Sequence, residues 1–170
     1  LQNINENDII ISTTGKTSRE IFEIRKNKNE SHEQDFLTVG SMGHCSSIAL
    51  GIALKKSNRK IICVDGDGSM LMHLGSLTSI TDLRPNNFYH ILLNNEAHES
   101  VGGQNTAAKS LNLSKIAQAI GYNKSFKVKK EKELSPTLFQ FLLEKISDHD
   151  IPSGDVEINS QEQVTYCSCG

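Results

Sequence analysis

The chain has 170 residues, 18 of them Lys or Arg and 20 Asp or Glu, for a net charge of −2 with no long run of either sign. That balance gives nucleic acid or a membrane surface nothing to grip, and no apolar stretch approaches the roughly 20 residues needed to span a bilayer. The first residues show no basic-then-apolar leader pattern, and the length suits one domain with a sizeable single core.

Taken in order, Ile9 to Ser12 is a short apolar strand running into Thr13-Thr14-Gly15-Lys16-Thr17-Ser18. Helical spacing then starts at Arg19, with Ile21, Phe22 and Ile24 as the inward set. A hydroxyl- and glycine-bearing turn at a helix start offers backbone donors to an anion. The plainer expectation, preferred on this segment alone, is a loop with Ser18 as helix N-cap. Lys26 to Asp35 is a charged surface linker, and Phe36 to Val39 a second strand. Gly40-Ser41-Met42-Gly43-His44-Cys45-Ser46-Ser47 leads into a helix over Ile48 to Lys55, whose Ala49, Gly51 and Ala53 permit close packing on a sheet.

Ile61 to Val64 is a buried strand opening into Asp65-Gly66-Asp67-Gly68-Ser69. One helix is expected after Gly68, carrying Leu71, Met72, Leu74, Leu77 and Ile80 and ending before Pro85, which cannot continue it. Tyr89 to Leu93 is a further strand, opening into Asn94-Asn95. From Asn95 to Ser110 the chain is polar and Gly-bearing without apolar period, a length of loop that is more often functional than idle. A helix over Leu113 to Ile120 stops at Gly121, and Ser125 to Val128 is a strand. Ser135 caps a helix from Pro136 through Leu138, Phe141, Leu142 and Ile146, and Asp155 to Ile158 is a last strand. Strands alternate with helices throughout, which predicts a three-layer α/β/α domain on a mostly parallel sheet of about six strands. Cys45, Cys63, Cys167 and Cys169 form neither a disulfide framework nor a CxxC pair, so a reducing cytoplasm is the expected setting.

Two parallel strands ending at Asp67 and at Asn94-Asn95 place a carboxylate and two amides on the carboxyl edge of one sheet, where open α/β sheets hold ligands. Hard oxygen donors of this kind suit Mg²⁺, whose shell is completed by phosphates and water. Gly66 and Gly68 let backbone amides approach phosphate oxygens, and Ser69 adds a hydroxyl. The implied ligand is a Mg²⁺-bridged diphosphate, yet neither the GxxxxGK[ST] loop nor the GxGxxG turn is present.

Gly66-Asp67-Gly68, then 25 residues, then Asn94-Asn95 resembles the thiamine diphosphate signature of decarboxylase and carboligase enzymes. With Gly40-Ser41-Met42-Gly43-His44, Met72-His73-Leu74-Gly75 and the run Asn94 to Gln104, the chain from about Ile9 to Leu143 resembles the C-terminal, diphosphate-binding domain of the phosphonopyruvate decarboxylase family. The resemblance implies thiamine diphosphate and Mg²⁺ as cofactors. It implies that Asp67, the Asn95 side chain and the Ala97 carbonyl hold the metal, and that Gly66, Gly68, Ser69 and the Thr14-Gly15 turn face the diphosphate. By the same resemblance, Gly40, beside Ser41, binds the aminopyrimidine amine through its carbonyl, and Met42 is the wedge that bends the cofactor. It further implies decarboxylation of 3-phosphonopyruvate to phosphonoacetaldehyde and CO₂.

His98 and His44 lie near the implied cofactor, and imidazole titrates near physiological pH, so either suits proton transfer or phosphonate binding. A structural role is the plain alternative, weightier for His44 and weightier still for His73, expected inside a helix facing the sheet. Ser100-Val101-Gly102-Gly103-Gln104 is expected to close over substrate.

Departures from the family pattern accompany the likeness. Glu96, Glu99 and Asn105 stand where Gly, Asp and Pro are expected, and the tail from Asn159 to Gly170 does not follow the family, so it is expected to be disordered or out of frame beyond a 1–158 domain. The chain begins at Leu1 rather than Met, and a start further upstream is expected. Enzymes of this kind take an activating glutamate from a pyrimidine-binding domain, upstream or on a partner subunit, so the chain alone is expected to be inactive. The implied partners are that domain or subunit, in a homo- or hetero-oligomer, and a small anionic 2-keto acid, with no nucleic acid and no membrane. The rival readings are a sulfopyruvate decarboxylase β-type subunit, a non-catalytic cofactor-binding fragment and a generic Mg²⁺-nucleotide binder.

Overall fold

The computed structural model describes residues 4–128 and 163–169. Its centre is a six-stranded sheet, ordered β2-β1-β3-β4-β8-β7. Here β1 is Ile9–Ser12, β2 Asp35–Leu37, β3 Ile61–Gly66, β4 Phe88–Asn94, β7 Lys124–Val128 and β8 Gln163–Cys169. The first four pair in parallel, with Ile11 opposite Cys63 and Gly66 opposite Leu93. A small hairpin, β5 (Ala97–His98) with β6 (Gln104–Asn105), follows β4. Among the described residues no helix is long and apolar enough to cross a membrane.

Alternation along the strands divides the two faces of the sheet. Ile11, Ile61, Cys63, Phe88 and Leu92 join the main core with Ala49, Leu50 and Ala53 of α2 (Cys45–Lys55), Leu77 and Ile80 of α4 (Ser76–Leu83), and Leu113 and Ala117 of α5 (Leu113–Ile120). Ile10 and Ser12 point the other way, towards α1 (Lys16–Lys28), whose Ser18 hydroxyl meets that of Ser12 at 2.6 Å. Helices on both faces of a mostly parallel sheet are the expected α/β layering.

Local differences from expectation have identifiable causes. Helix α1 begins at Lys16, so Ser18 lies inside it, buried, and donates to the Thr13 and Thr38 carbonyls at 2.7 and 3.1 Å instead of capping. That anchor turns residues 18 and 21 inward and leaves Phe22 and Ile24 at 44% and 41% exposure. Phe22 instead stacks on the His32 ring, and Arg25 grips Asp35 through two nitrogens. Strand β2 stops at Leu37, and Val39 is fully out in solvent.

The single helix expected after Gly68 is two, α3 (Asp67–Met72) and α4, broken at His73-Leu74-Gly75. Met70 faces the core while Met72 does not, and His73 is exposed rather than facing the sheet. Of the tail, the described segment Gln163–Cys169 runs antiparallel along the whole of β4, from Asn94 opposite Gln163 to Phe88 opposite Cys169. It also pairs with β7, so the sheet ends in an antiparallel pair. The helix expected from Pro136 and the strand expected at Asp155 to Ile158 lie outside the described residues.

Candidate functional site

Four turns meet at the carboxyl ends of β1, β3 and β4. Asp67 follows β3 directly and Asn94 ends β4, and the register that sets Gly66 opposite Leu93 puts both at the same level of the same edge. Asp67 is 3% exposed, and it accepts from the Thr106 hydroxyl and from the backbone amides of its own residue and Gly68. Burial pushes its carboxyl above the ordinary aspartate range, while Thr106, the two amides and the nearby His98 pull the other way. A carboxylate stripped of water in this manner is a site that a hard cation relieves.

Neighbouring residues build a cradle around it. A methyl group on Gly68 would lie 2.5 Å from His98 Cε1 and 3.3 Å from Thr106 Cγ2, so glycine alone leaves the turn open. Ser69 is buried, and its Oγ accepts from Thr13 Oγ1 at 2.9 Å and from the Gly43 amide at 3.0 Å. Instead of standing free at the edge, this hydroxyl ties the β1, β3 and Gly40–His44 turns together. The Gly66 amide is engaged by Asp65 Oδ1 at 2.9 Å.

The β4 end is shaped by its own amides. Asn94 Oδ1 accepts from the Glu96 amide and Asn95 Oδ1 from the Ala97 amide, each at 3.1 Å, two local side-chain turns that carry Glu96 to φ +60°. Asn94 is buried and Asn95 half-buried. The hairpin that follows swings back over the first turn. Gly15 is so close to Ser100 that a Cβ there would meet its Oγ at 2.5 Å, the Lys16 amide reaches that oxygen at 3.4 Å, and Lys16 Nζ pairs with Glu99 at 2.6 Å. Gly102 and Gly103 take φ +126° and +76°, turns only glycine makes without strain.

The structure therefore brings together Asp67, Gly68, Ser69 and His98, with the Thr14-Gly15 turn bridged to them by Glu99 and Ser100. His44 stands apart: it is exposed, its Nδ1 lies 3.2 Å from the Ser41 carbonyl, and its ring meets that of His73 at 4.4 Å. Around Gly40 no side chain comes within 4 Å of an added Cβ, Ser41 is exposed at φ +53°, and Met42 is half-buried. Sequence reasoning missed Thr13 and Thr106; the only signal for Thr106 was a hydroxyl residue capping a short turn, where it accepts from the Ala108 amide.

The donor set matches what a Mg²⁺-diphosphate needs in one buried hard carboxylate, a neighbouring amide side chain and a glycine-lined turn. Comparison with known proteins bears on the same edge. A family model described as "Thiamine pyrophosphate enzyme, C-terminal TPP binding domain" matches residues 13–153. A phosphonopyruvate decarboxylase of Streptomyces hygroscopicus is 42% identical over 113 residues, 66% of this chain and 27% of that protein. A sulfopyruvate decarboxylase subunit beta of Methanocaldococcus jannaschii is 40% identical over 122 residues, 71% of this chain and 62% of that protein. The chain thus spans less than two thirds of the length of either relative.

Proposed function

The chain belongs to the thiamine pyrophosphate enzyme C-terminal TPP-binding domain family, and from this we propose that it is the diphosphate-binding half of a thiamine diphosphate- and Mg²⁺-dependent decarboxylase acting on 3-phosphonopyruvate. The buried Asp67 carboxylate, raised in pKa by burial at a sheet edge between glycines, is the observation that carries the reading. Asp67, the Asn95 side chain and the Ala97 carbonyl hold the metal. The turns at Thr14-Gly15 and Gly66 to Ser69 face the diphosphate, and Gly40, Ser41 and Met42 face the pyrimidine end. When bound, thiamine diphosphate supplies the electron sink for loss of CO₂.

The chain's own residues then divide the work. Thr106 donates to one oxygen of Asp67 and so fixes the carboxylate that would hold the cation. His98, whose ring borders Gly68, would hold or pass a proton for the bound substrate. The hairpin from Ala97 to Asn105 walls off one side and limits water. The activating glutamate comes from a pyrimidine-binding domain or partner subunit in an oligomer.

Removing the Thr106 donor should loosen the metal without unfolding the chain. Thr106→Val is expected to weaken Mg²⁺-dependent cofactor binding by about tenfold to 100-fold, as loss of an outer partner of a metal ligand does. Titration calorimetry reads this directly, and an unchanged affinity would remove Thr106 from the site.

The reading as a whole is tested on the enzyme reconstituted with its pyrimidine-binding partner. Thiamine diphosphate should bind only with Mg²⁺, and ATP with Mg²⁺ should not compete; ATP binding would favour a nucleotide site. A second reading, a sulfopyruvate decarboxylase β-type subunit, draws support from a relative of which this chain covers 62%. Phosphonate carries up to two negative charges and sulfonate one, so competing substrates separate the two. A higher kcat/KM for phosphonopyruvate is expected, and a preference for sulfopyruvate overturns the substrate assignment.

A further inference from the structure

Behind Gly66, on the core face of the sheet, two thiols and a carboxylate lie together away from the cofactor edge. Cys63 and Asp65 are two apart on β3 and share a face, and Cys45 opens α2 against them. The ligand atoms of all three lie within 4.8 Å of one another. Cys45 is 2% exposed and Cys63 and Asp65 are 0% exposed. The two sulfurs are 3.6 Å apart.

One half of the carboxylate is without a hydrogen-bond partner. Asp65 Oδ1 takes the Gly66 amide, whereas the buried Oδ2 accepts no hydrogen bond, and neither does the buried Nε2 of His90 engage one. These two atoms face each other at 3.8 Å, too far for a hydrogen bond. The far side of the His90 ring is fixed by the Tyr122 hydroxyl at 3.1 Å from Nδ1. A buried carboxylate oxygen left this way is costly, and a cation between it and the sulfurs removes the cost.

We propose that Cys45, Cys63 and Asp65 form a buried site for a thiophilic divalent ion of the zinc class, with His90, whose Nε2 faces Asp65 Oδ2, as the positioning residue beside the carboxylate. Two zinc–sulfur bonds of about 2.3 Å at the tetrahedral angle set their sulfurs about 3.8 Å apart, close to the separation seen here. A disulfide needs about 2.05 Å, which would drag α2 into a packed sheet face. Binding displaces the two thiol protons to solvent, and the two thiolates with the carboxylate then share the ion. The ion enters as the chain folds, since no path to it is open in the native packing, and it clamps the start of α2 to β3 beneath the Gly40–His44 and Gly66–Ser69 turns. It is separate in place and in ligand chemistry from the oxygen donors at Asp67.

The intact protein, stripped with chelator and refolded with Cd²⁺ or Zn²⁺ under excess Mg²⁺, provides the test. One equivalent per chain and a thiolate-to-cadmium charge-transfer band in the ultraviolet are expected. The band should survive Cys167→Ser with Cys169→Ser and vanish in Cys45→Ala. His90→Phe, which leaves every ligand in place, should lower affinity by about tenfold to 100-fold. Should Cys45→Ala fail to fold, X-ray absorption on the zinc-loaded protein decides: two sulfurs with oxygen or nitrogen are expected. No band after refolding, a band lost with the tail cysteines but kept in Cys45→Ala, a zinc shell without two sulfurs, or a Cys45–Cys63 disulfide in its place each overturns the site.

Discussion

Asp67→Asn is expected to weaken Mg²⁺-dependent binding of thiamine diphosphate by at least about 100-fold, since loss of an outer partner alone costs tenfold to 100-fold. Turnover of the reconstituted enzyme should fall at least as far. The same change should not harm the metal-free fold. Burial raises the Asp67 pKa in the native state, so the native chain binds its proton more tightly than the unfolded chain does. The resulting stabilisation is full below the ordinary aspartate pKa, about 4, and is lost as pH rises through the raised value. At neutral pH the metal-free wild type therefore carries the cost of a buried charge that Asn does not. Thermal melts in chelator should show the variant at least as stable at pH 7, with its advantage shrinking as pH is lowered. A variant that melts well below wild type in chelator at pH 7, yet keeps cofactor affinity, would make Asp67 a structural residue.

Gly43→Ala should strike the same site from the other turn. Gly43 sits at φ +90°, and a Cβ there would come within 3.2 Å of the Ser69 carbonyl and 2.3 Å of His73 Nδ1. The exposed His73 ring can swing aside, but the Ser69 backbone is held in the β3–α3 turn. Strain of this sort costs about 1–3 kcal/mol, or roughly 2–12 °C in Tm for a chain of this length. Because the Gly43 amide also holds Ser69 Oγ, cofactor affinity should fall together with stability. Gly51→Ala is the control: that glycine lies in α2 with nothing within 4 Å of an added Cβ, and alanine there should stabilise by about 0.5–1 kcal/mol. Equal behaviour of the two variants would show that the Gly43 turn is not strained against Ser69.

The alternating layers and the sheet edge were legible in the sequence because they rest on short-range signals. Apolar runs such as Ile61-Ile62-Cys63-Val64 end at residues that do not belong in a core, and the end of such a run marks the edge. What escaped depends on partners far along the chain. Ser18 reads as a cap until the Thr38 carbonyl, 20 residues on, is seen to accept from it, and that bond rotates the whole of α1. Thr106 reads as loop until the hairpin folds it 39 residues back onto Asp67. His90 is one polar residue in an apolar strand, and only β3–β4 register places it beside Asp65 and opposite Cys63. The antiparallel β8 was hidden for a different reason: Gln163 to Cys169 alternates weakly, and its pairing with β4 is a matter of topology rather than pattern.

The Lys16–Glu99 ion pair joins the hairpin to the first turn with both side chains about half exposed, at 57% and 47%. Exposed pairs contribute about 0.2–1 kcal/mol, so this contact alone favours the joined arrangement only about 1.4- to fivefold. The Ser100 and Thr106 contacts hold the hairpin as well, so added salt, which shortens the reach of such charges, removes only this small part of what joins it to the turn. Ionic strength therefore trims the latch over the diphosphate turn without opening it.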